Sequence, residues 1–123
     1  MRQIELTLPM PPKEFGRNAG EGWNWGKMKR LKDAHNVNVF AAAVNKRPDT
    51  PFGKCCIDVR AYTMRQMDRD NLIAMMKSTI DQLCRMGFIV NDRDVVFGEI
   101  SSVFGSKKVV GERRVEIVIR ETP

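Results

Sequence analysis

The sequence predicts an α+β domain in which helices pack on one mixed β-sheet, with the elements in the order β-α-β-α-β-β. Two segments alternate apolar and polar residues as strands do, and two further segments near the end of the chain are also interpreted as strands. Two longer segments repeat apolar residues every three or four positions as helices do. Hydrophobic residues make up 42% and charged residues 29% of the 123 positions, which is ordinary globular composition. We therefore expect a single domain that spans residues 1–123.

The first strand and the first helix flank a glycine-rich segment. Apolar residues alternate with polar ones in residues 3–8, which predicts a strand with one buried face, and prolines end it. Residues 13–26 contain four glycines and predict a loop. Residues 28–46 predict a helix that ends before Pro48. The apolar face expected for this helix consists of Leu31, Ala34, Val37, Ala41 and Val44.

The second half of the chain predicts a strand, a helix and two more strands. Residues 55–63 alternate again, and residues 70–86 form a helical pattern that Gly87 ends. Residues 95–104 and 113–120 predict the last two strands, joined by a turn. The apolar stripe expected for the second helix consists of Leu72, Met76, Ile80 and Leu83.

Composition excludes several kinds of chemistry. The single histidine excludes a multi-histidine zinc site, and the P-loop and nucleophile-elbow signatures are missing from the sequence. The three cysteines have no CxxC spacing, so we interpret them as buried structural thiols. No apolar run is long enough to span a membrane and the N-terminal residues are unlike an export signal, so we expect a cytoplasmic protein.

The net charge of +6 favours polyanionic partners, nucleic acid first, although a merely soluble basic surface explains it equally well. A basic cluster opens the first helix and is our candidate for phosphate contact. Trp23 and Trp25 precede it, and the simpler interpretation of this pair is that at least one indole covers the edge of the core. The basic cluster consists of Lys27, Lys29, Arg30 and Lys32.

For His35, which lies on the same predicted helix, we expect a surface or partly packed imidazole.

The residues most suggestive of catalysis surround the start of the second helix. Asp68 and Asp70 lie where that helix begins, and one carboxylate is enough for capping. At about 100° per residue, Lys77 lies within about 20° of Asp70 around the helix. Asp81 is roughly 16 Å along the axis from Asp70, too far to share an ion with it, and we interpret it as a partner of Lys77 or a structural acid. Asp92 follows the helix as a further carboxylate.

Carboxylate oxygens suit Mg²⁺ or Mn²⁺, and a nearby lysine can stabilise the charge that develops during phosphodiester cleavage. In a basic chain, this combination predicts a metal-dependent phosphodiesterase that acts on nucleic acid. The segment that follows the second helix need not return Asp92 to Asp70 in the same subunit. The sequence leaves open whether Asp92 acts in its own subunit or across a dimer.

These residues resemble the RusA family of Holliday junction resolvases, and the similar motifs run in order along the whole chain. The motifs are Leu6-Thr7-Leu8-Pro9 with Pro11-Pro12, Asp68-Arg69-Asp70-Asn71-Leu72, Lys77, Ile80-Asp81-Gln82-Leu83, Gly87-Phe88, Asn91-Asp92 and Val115-Glu116-Ile117-Val118-Ile119. The resemblance implies a RusA-like fold and a homodimer that nicks four-way DNA junctions symmetrically with Mg²⁺ or Mn²⁺. It assigns the catalytic acids and metal ligands to Asp68, Asp70 and Asp92, and the catalytic lysine to Lys77.

We add Arg69, which lies between the two acids, to the residues expected to bind DNA. Two other interpretations stay open. One is a non-catalytic DNA-binding or regulatory phage protein on the same scaffold, with the acids kept for helix capping. The other is a nuclease that prefers forks or flaps, because a fold can persist while its activity changes.

Overall fold

The computed structural model describes residues 2–16 and 25–122. Within these residues, four strands form one mixed sheet and three helices connect them. The strands are β1 (Gln3–Pro9), β2 (Cys55–Thr63), β3 (Val95–Phe104) and β4 (Arg114–Glu121). The helices are α1 (Trp25–Ala43), α2 (Arg69–Arg85) and the short α3 (Lys107–Val110). Single 3₁₀ turns occupy Lys13–Phe15, Val44–Lys46 and Asp92–Asp94.

The strand order in the sheet is β1-β4-β2-β3. β4 runs antiparallel to both of its neighbours, whereas β2 and β3 are parallel. A parallel pair needs a long crossover connection, and α2 supplies it. The predicted α+β class, the mixed sheet and the order of the main elements are therefore confirmed.

The core lies between one face of the sheet and the two long helices. Alternate residues of β2 are buried, as the period of two predicts, and all four residues of the predicted α2 stripe are buried as well. Gly87 ends α2 with φ of +87°, a conformation that glycine adopts without strain. These parts of the sequence analysis are confirmed.

The predicted apolar face of α1 is wrong. The buried residues of α1 are His35, Val39 and Ala43, whereas Val37 and Ala41 of the predicted face are exposed. The two stripes lie on nearly opposite sides of the helix at 100° per residue. A helix rich in alanine and valine offers more than one apolar stripe, and its packing against β1 and α2 selects the one that contains the histidine.

Two connections also differ from the predictions. α1 begins at Trp25, inside the predicted loop, and the 3₁₀ turn at Val44–Lys46 follows its end. The segment between β3 and β4 contains α3 rather than a simple turn, because the two strands are not neighbours and the chain must pass the end of β2. Of the helices described, none combines the length and apolar character that crossing a membrane requires.

Candidate functional site

Asp68 and Asp70 lie at the start of α2, where the sequence predicts them. Asp68 is the residue before the first helical turn, and Asp70 belongs to that turn. Both are exposed, and the side chain of Asp68 makes no capping hydrogen bond. The helix dipole favours negative charge at this position. Capping therefore does not account for the carboxylate of Asp68.

Asp68 lines a depression between the start of α2 and the second half of β3. The depression has a volume of about 580 Å³, and Arg69 and Leu72 line it together with Ile100 and Ser102. The backbone N–H of Met67 donates to Oγ of Ser102 at 3.4 Å. This bond fastens the segment before α2 to β3 and so helps to position Asp68.

Lys77 and Asp92 line a second depression, of about 350 Å³, together with Asp81 and residues at the start of β3. Asp92 begins a 3₁₀ turn that Asn91 caps, because Oδ1 of Asn91 accepts a hydrogen bond from the backbone N–H of Arg93 at 3.0 Å. The structure thus places the predicted catalytic lysine and the third predicted acid in one depression. The capping role of Asn91 is a detail that the sequence analysis missed.

The two depressions lie along one seam between α2 and β3. The first half of β3, at Val95 and Phe97, faces Lys77, and Ile100 faces the start of α2. At about 3.3 Å per residue, the three positions from Phe97 to Ile100 span roughly 10 Å. Asp92 is therefore displaced along the seam from Asp68.

A β-bulge lies in β3 between these two parts of the seam. Ile57 of β2 pairs with Phe97, but Val59 pairs with Ile100, so β3 carries one extra residue. A Cβ atom at Gly98 would collide with Oδ1 of Asp58 and Sγ of Cys56, so this position requires glycine. Oδ1 of Asp58 accepts a hydrogen bond from the backbone N–H of Glu99 at 2.8 Å, which holds the bulge in place.

The predicted acids do not form one metal-binding group within the described part of the chain. No set of three or more histidine, cysteine, aspartate or glutamate residues there is placed to hold a metal ion. A magnesium ion commonly uses only one or two carboxylates and completes its shell with water and substrate phosphate. The donor chemistry of Asp68 and Asp70 fits such an ion, and Asp92 lies apart from Asp68 along the seam.

Two thiols near the seam have pKa values above the ordinary value of a cysteine. Burial, followed by the nearby Cys84, raises the pKa of Cys55 to about 11. Burial is also the main cause that raises the pKa of Cys84, and Asp92 is the next. Both thiols are consequently protonated at neutral pH. Of the three thiols expected to be buried, Cys55 is buried, whereas Cys56 and Cys84 are partly exposed.

The predicted DNA-binding cluster lies on the first turns of α1. Lys29 and Lys32 line a groove of about 780 Å³ between α1 and α2, which Lys77 and Arg85 also line. Three carboxylates, those of Glu14, Asp33 and Asp81, line the same groove. Nζ of Lys29 lies 2.9 Å from Oδ2 of Asp33, so one of the cations is already paired. The groove is close to electrically balanced.

Trp25 and His35, which both belong to α1, differ in how far they are buried. Trp25 is 79% exposed and does not cover the core, and Trp23 lies outside the described residues. The expectation of a surface or partly packed imidazole for His35 is wrong. This side chain is buried, with Nε2 2.8 Å from Oγ1 of Thr79, and it makes an edge contact with Phe15.

A scan against protein-family models finds no model that matches this chain, and a search of curated proteins finds no matching relative. The resemblance to the RusA family therefore rests on the motif residues themselves.

Proposed function

We propose that this protein is a structure-selective endodeoxyribonuclease that resolves four-way DNA junctions as a homodimer in the cytoplasm, with Mg²⁺ or, alternatively, Mn²⁺. The observation that carries the proposal is the pair of exposed carboxylates at the start of α2. Asp68 has no capping hydrogen bond there, and Asp70 follows it in the first turn of the helix. An exposed carboxylate that makes no capping hydrogen bond, followed two residues later by a second exposed acid in a chain of net charge +6, favours a role in holding a divalent cation beside a phosphate.

In this proposal Asp68 and Asp70 hold the ion together with a phosphate of the substrate. When bound, the ion would polarise the phosphodiester and lower the pKa of the attacking water. Arg69, exposed beside the two acids, contacts the DNA backbone. The helix dipole adds a partial positive charge at the same place, which favours the approach of a phosphate.

Lys77 stabilises the negative charge that develops during cleavage. Its exposed side chain starts about 10 Å along the helix axis from Asp70 and leans toward the start of α2, as helical side chains do. Asp92 and Asp81 line the same depression as Lys77, and in this proposal they orient its ammonium group. The role of Asp92 as a third metal ligand stays a prediction, within its own subunit or across the dimer.

A homodimer suits the proposed substrate. A four-way junction is close to two-fold symmetric, and a two-fold symmetric enzyme presents two equivalent acid pairs to it. Each pair would nick one strand, which gives the paired cuts that resolve a junction.

The test is cleavage of a labelled four-way junction beside matched duplex, single-strand, fork and flap substrates, with Mg²⁺, Mn²⁺ or EDTA. For Asp70→Asn we expect cleavage to fall at least about 100-fold and junction binding to persist or tighten, because a charge that repels phosphate is removed. Asp49→Asn, a matched change at an exposed aspartate far along the chain, should cleave normally. Full activity of Asp70→Asn, or loss of binding together with cleavage, would count against the assignment.

Subunit mixing decides where Asp92 acts. If Asp92 of one subunit completes the acid pair of the other, mixing Asp70→Asn with Asp92→Asn subunits restores one complete site and single nicks appear. If all three acids act within one subunit, neither site of the mixed dimer is complete and cleavage stays lost.

A non-catalytic DNA-binding protein is the second candidate. It is favoured by one observation, which is that the predicted acids of the described chain do not gather into a three-ligand group. Tight junction binding by the wild-type protein without cleavage under any metal would select this candidate. Preferred cleavage of forks or flaps would instead identify a nuclease of different selectivity.

A further inference from the structure

One end of the sheet carries a compact basic and apolar surface, which we call the basic tip. It consists of residues 64–65, directly after β2, and residues 104–113, from the end of β3 to the start of β4. Thr63 pairs with Phe104, and the backbone N–H of Gly105 donates to the carbonyl oxygen of Thr63 at 3.2 Å. Val109 packs over Gly105, because a Cβ atom added at Gly105 would lie 3.4 Å from the Cβ atom of Val109. The two segments therefore form one surface.

The basic tip has an unbalanced positive charge. Four exposed cations of the tip form no ion pair with any described residue, and Glu112 is the one acidic residue among residues 104–113. The groove between α1 and α2 differs, since its four cations share the space with three carboxylates. The four unpaired cations of the tip are Arg65, Lys107, Lys108 and Arg113.

The basic tip also exposes large apolar side chains. Met64 is 64% exposed, Phe104 is 52% exposed and Val109 is 74% exposed. Phe104 and Val109 adjoin the contacts at Thr63 and Gly105 described above, and Met64 directly follows Thr63 in the chain. Apolar side chains surrounded by cations are a combination that DNA-binding proteins use to enter between bases while the cations hold the flanking phosphates.

Arg114 supports the tip through contacts with the backbone and with Tyr62. Nη1 of Arg114 donates to the carbonyl oxygens of Val110 and Glu112, both at 3.0 Å. The guanidinium of Arg114 also stacks over the ring of Tyr62, 3.8 Å from its centre. Val110 itself is buried. Arg114 is thus a positioning residue that fixes the segment before β4 against β2.

The basic tip is continuous with the proposed catalytic acids. Only Gln66 and Met67 separate Arg65 from Asp68, and both of them line the depression of Asp68. The hydrogen bond from Met67 to Ser102 ties this connection to β3, two residues before Phe104. Two strand positions span about 7 Å. A nucleic acid bound at Asp68 would therefore also reach the tip.

We propose that the basic tip contacts DNA at the branch point of a junction, with Phe104 and Val109 packing against unstacked bases and the four cations binding the adjacent phosphates. The proposal rests on the proposed function for its ligand, branched DNA. It requires no cleavage and no metal ion. The tip would make branched DNA a better ligand than duplex, because bases are already unstacked at a branch and less energy is spent in opening them.

The experiment measures binding of the full chain to a fluorescent four-way junction and to a matched duplex in EDTA, over a range of salt concentrations. For the double variant Lys107→Ala/Lys108→Ala we expect junction affinity to fall about tenfold, and the slope of log K against log salt to decrease by up to about two. The control Lys46→Ala/Lys54→Ala removes the same charge outside the tip and should change affinity less than about twofold. Equal losses in both variants would overturn the proposal.

Substitution of Phe104 tests whether an apolar contact, and not charge alone, gives the preference for a junction over duplex DNA. For Phe104→Ala we expect the preference for junction over duplex to fall about fivefold, with duplex affinity and the salt slope kept. Phe104→Leu keeps an apolar side chain and should keep most of the preference. An unchanged preference in Phe104→Ala, with thermal unfolding like that of the wild type, would overturn the apolar part of the proposal.

These outcomes are distinguishable from failure of the proposed function. A protein that binds junctions through the tip and cleaves none under any metal would refute the nuclease and leave this inference standing. If the protein cleaves junctions with Asp70-dependent activity while the tip variants bind normally, this inference is refuted and the proposed nuclease is kept.

Discussion

The start of α1 and the basic tip are both rich in lysine and arginine, yet they differ in what surrounds the charges. At the start of α1, Lys29 pairs with Asp33, and further carboxylates line the groove that Lys32 shares. At the tip, Lys107 and Lys108 form no ion pair with a described residue. The density of cations along a sequence is therefore a poor measure of local positive potential, because the compensating acids come from other elements.

Charge reversal provides the largest test of this difference. Lys107→Glu/Lys108→Glu should weaken junction binding well beyond tenfold, since two attractive contacts become repulsive. Lys29→Glu/Lys32→Glu makes the same change in net charge and should cost only a few-fold, because carboxylates already share that groove. Fluorescence anisotropy at low and moderate salt measures both. A larger loss from the α1 variant would reverse the ranking of the two regions.

The arginine that supports the tip offers a more selective test. Arg114→Leu removes two hydrogen bonds to the backbone and the stacking on Tyr62. We expect faster amide exchange in residues 105–112 and junction affinity reduced about fivefold, because a loosened tip must be ordered on binding. Arg113→Leu removes the same charge from an exposed neighbour without these contacts. It should reduce affinity without changing amide exchange, and equal exchange in the two variants would contradict the supporting role of Arg114.

Buried His35 makes the stability of α1 sensitive to pH. Burial lowers the pKa of His35 below its ordinary value of 6.5, so the unfolded chain binds this proton more tightly. The free energy of unfolding should therefore fall as the pH decreases below about 6.5. Because His35 joins α1 to α2 through Thr79, amides of α1 should lose protection before those of β2 and β4.

Urea unfolding at pH 7.5 and pH 5.5 measures this effect. Since the chain has one histidine, His35→Leu should remove most of the pH dependence in this range. That variant also leaves the buried hydroxyl of Thr79 without its partner, at a cost of about 1–3 kcal/mol. The double variant His35→Leu/Thr79→Val should recover part of this cost. A pH dependence that persists unchanged in His35→Leu would contradict the assignment.

The sequence predicts the sheet and α2 well for a physical reason. Residues 55–63 coincide with β2, because the alternating burial of this strand leaves a period of two in the sequence. Residues 95–104 coincide with β3, although burial does not alternate along that strand. In α2 the single apolar stripe identifies the buried face without ambiguity. In α1 several stripes are possible, so the sequence indicates a helix but not its orientation.

The candidate site is predictable only in part. The position of Asp68 and Asp70 at the start of α2 follows from local patterns. That Lys77 and Asp92 line one depression depends on how β3 packs beside α2, which no local pattern encodes. The basic tip is missed because residues 105–111 resemble an ordinary turn. The cluster of lysine, valine and arginine there was the available signal, but its exposure and lack of acidic partners are tertiary properties.

The bulge at Gly98 has a consequence for solubility. β3 forms one edge of the described sheet, and such an edge offers unpaired N–H and C=O groups to any other extended chain. The extra residue kinks this edge and divides it into two short stretches whose pairing registers differ by one residue. An incoming strand that matches one stretch is out of register with the other. The residue that separates the two depressions therefore also makes this edge of the sheet a poorer template for pairing with another chain.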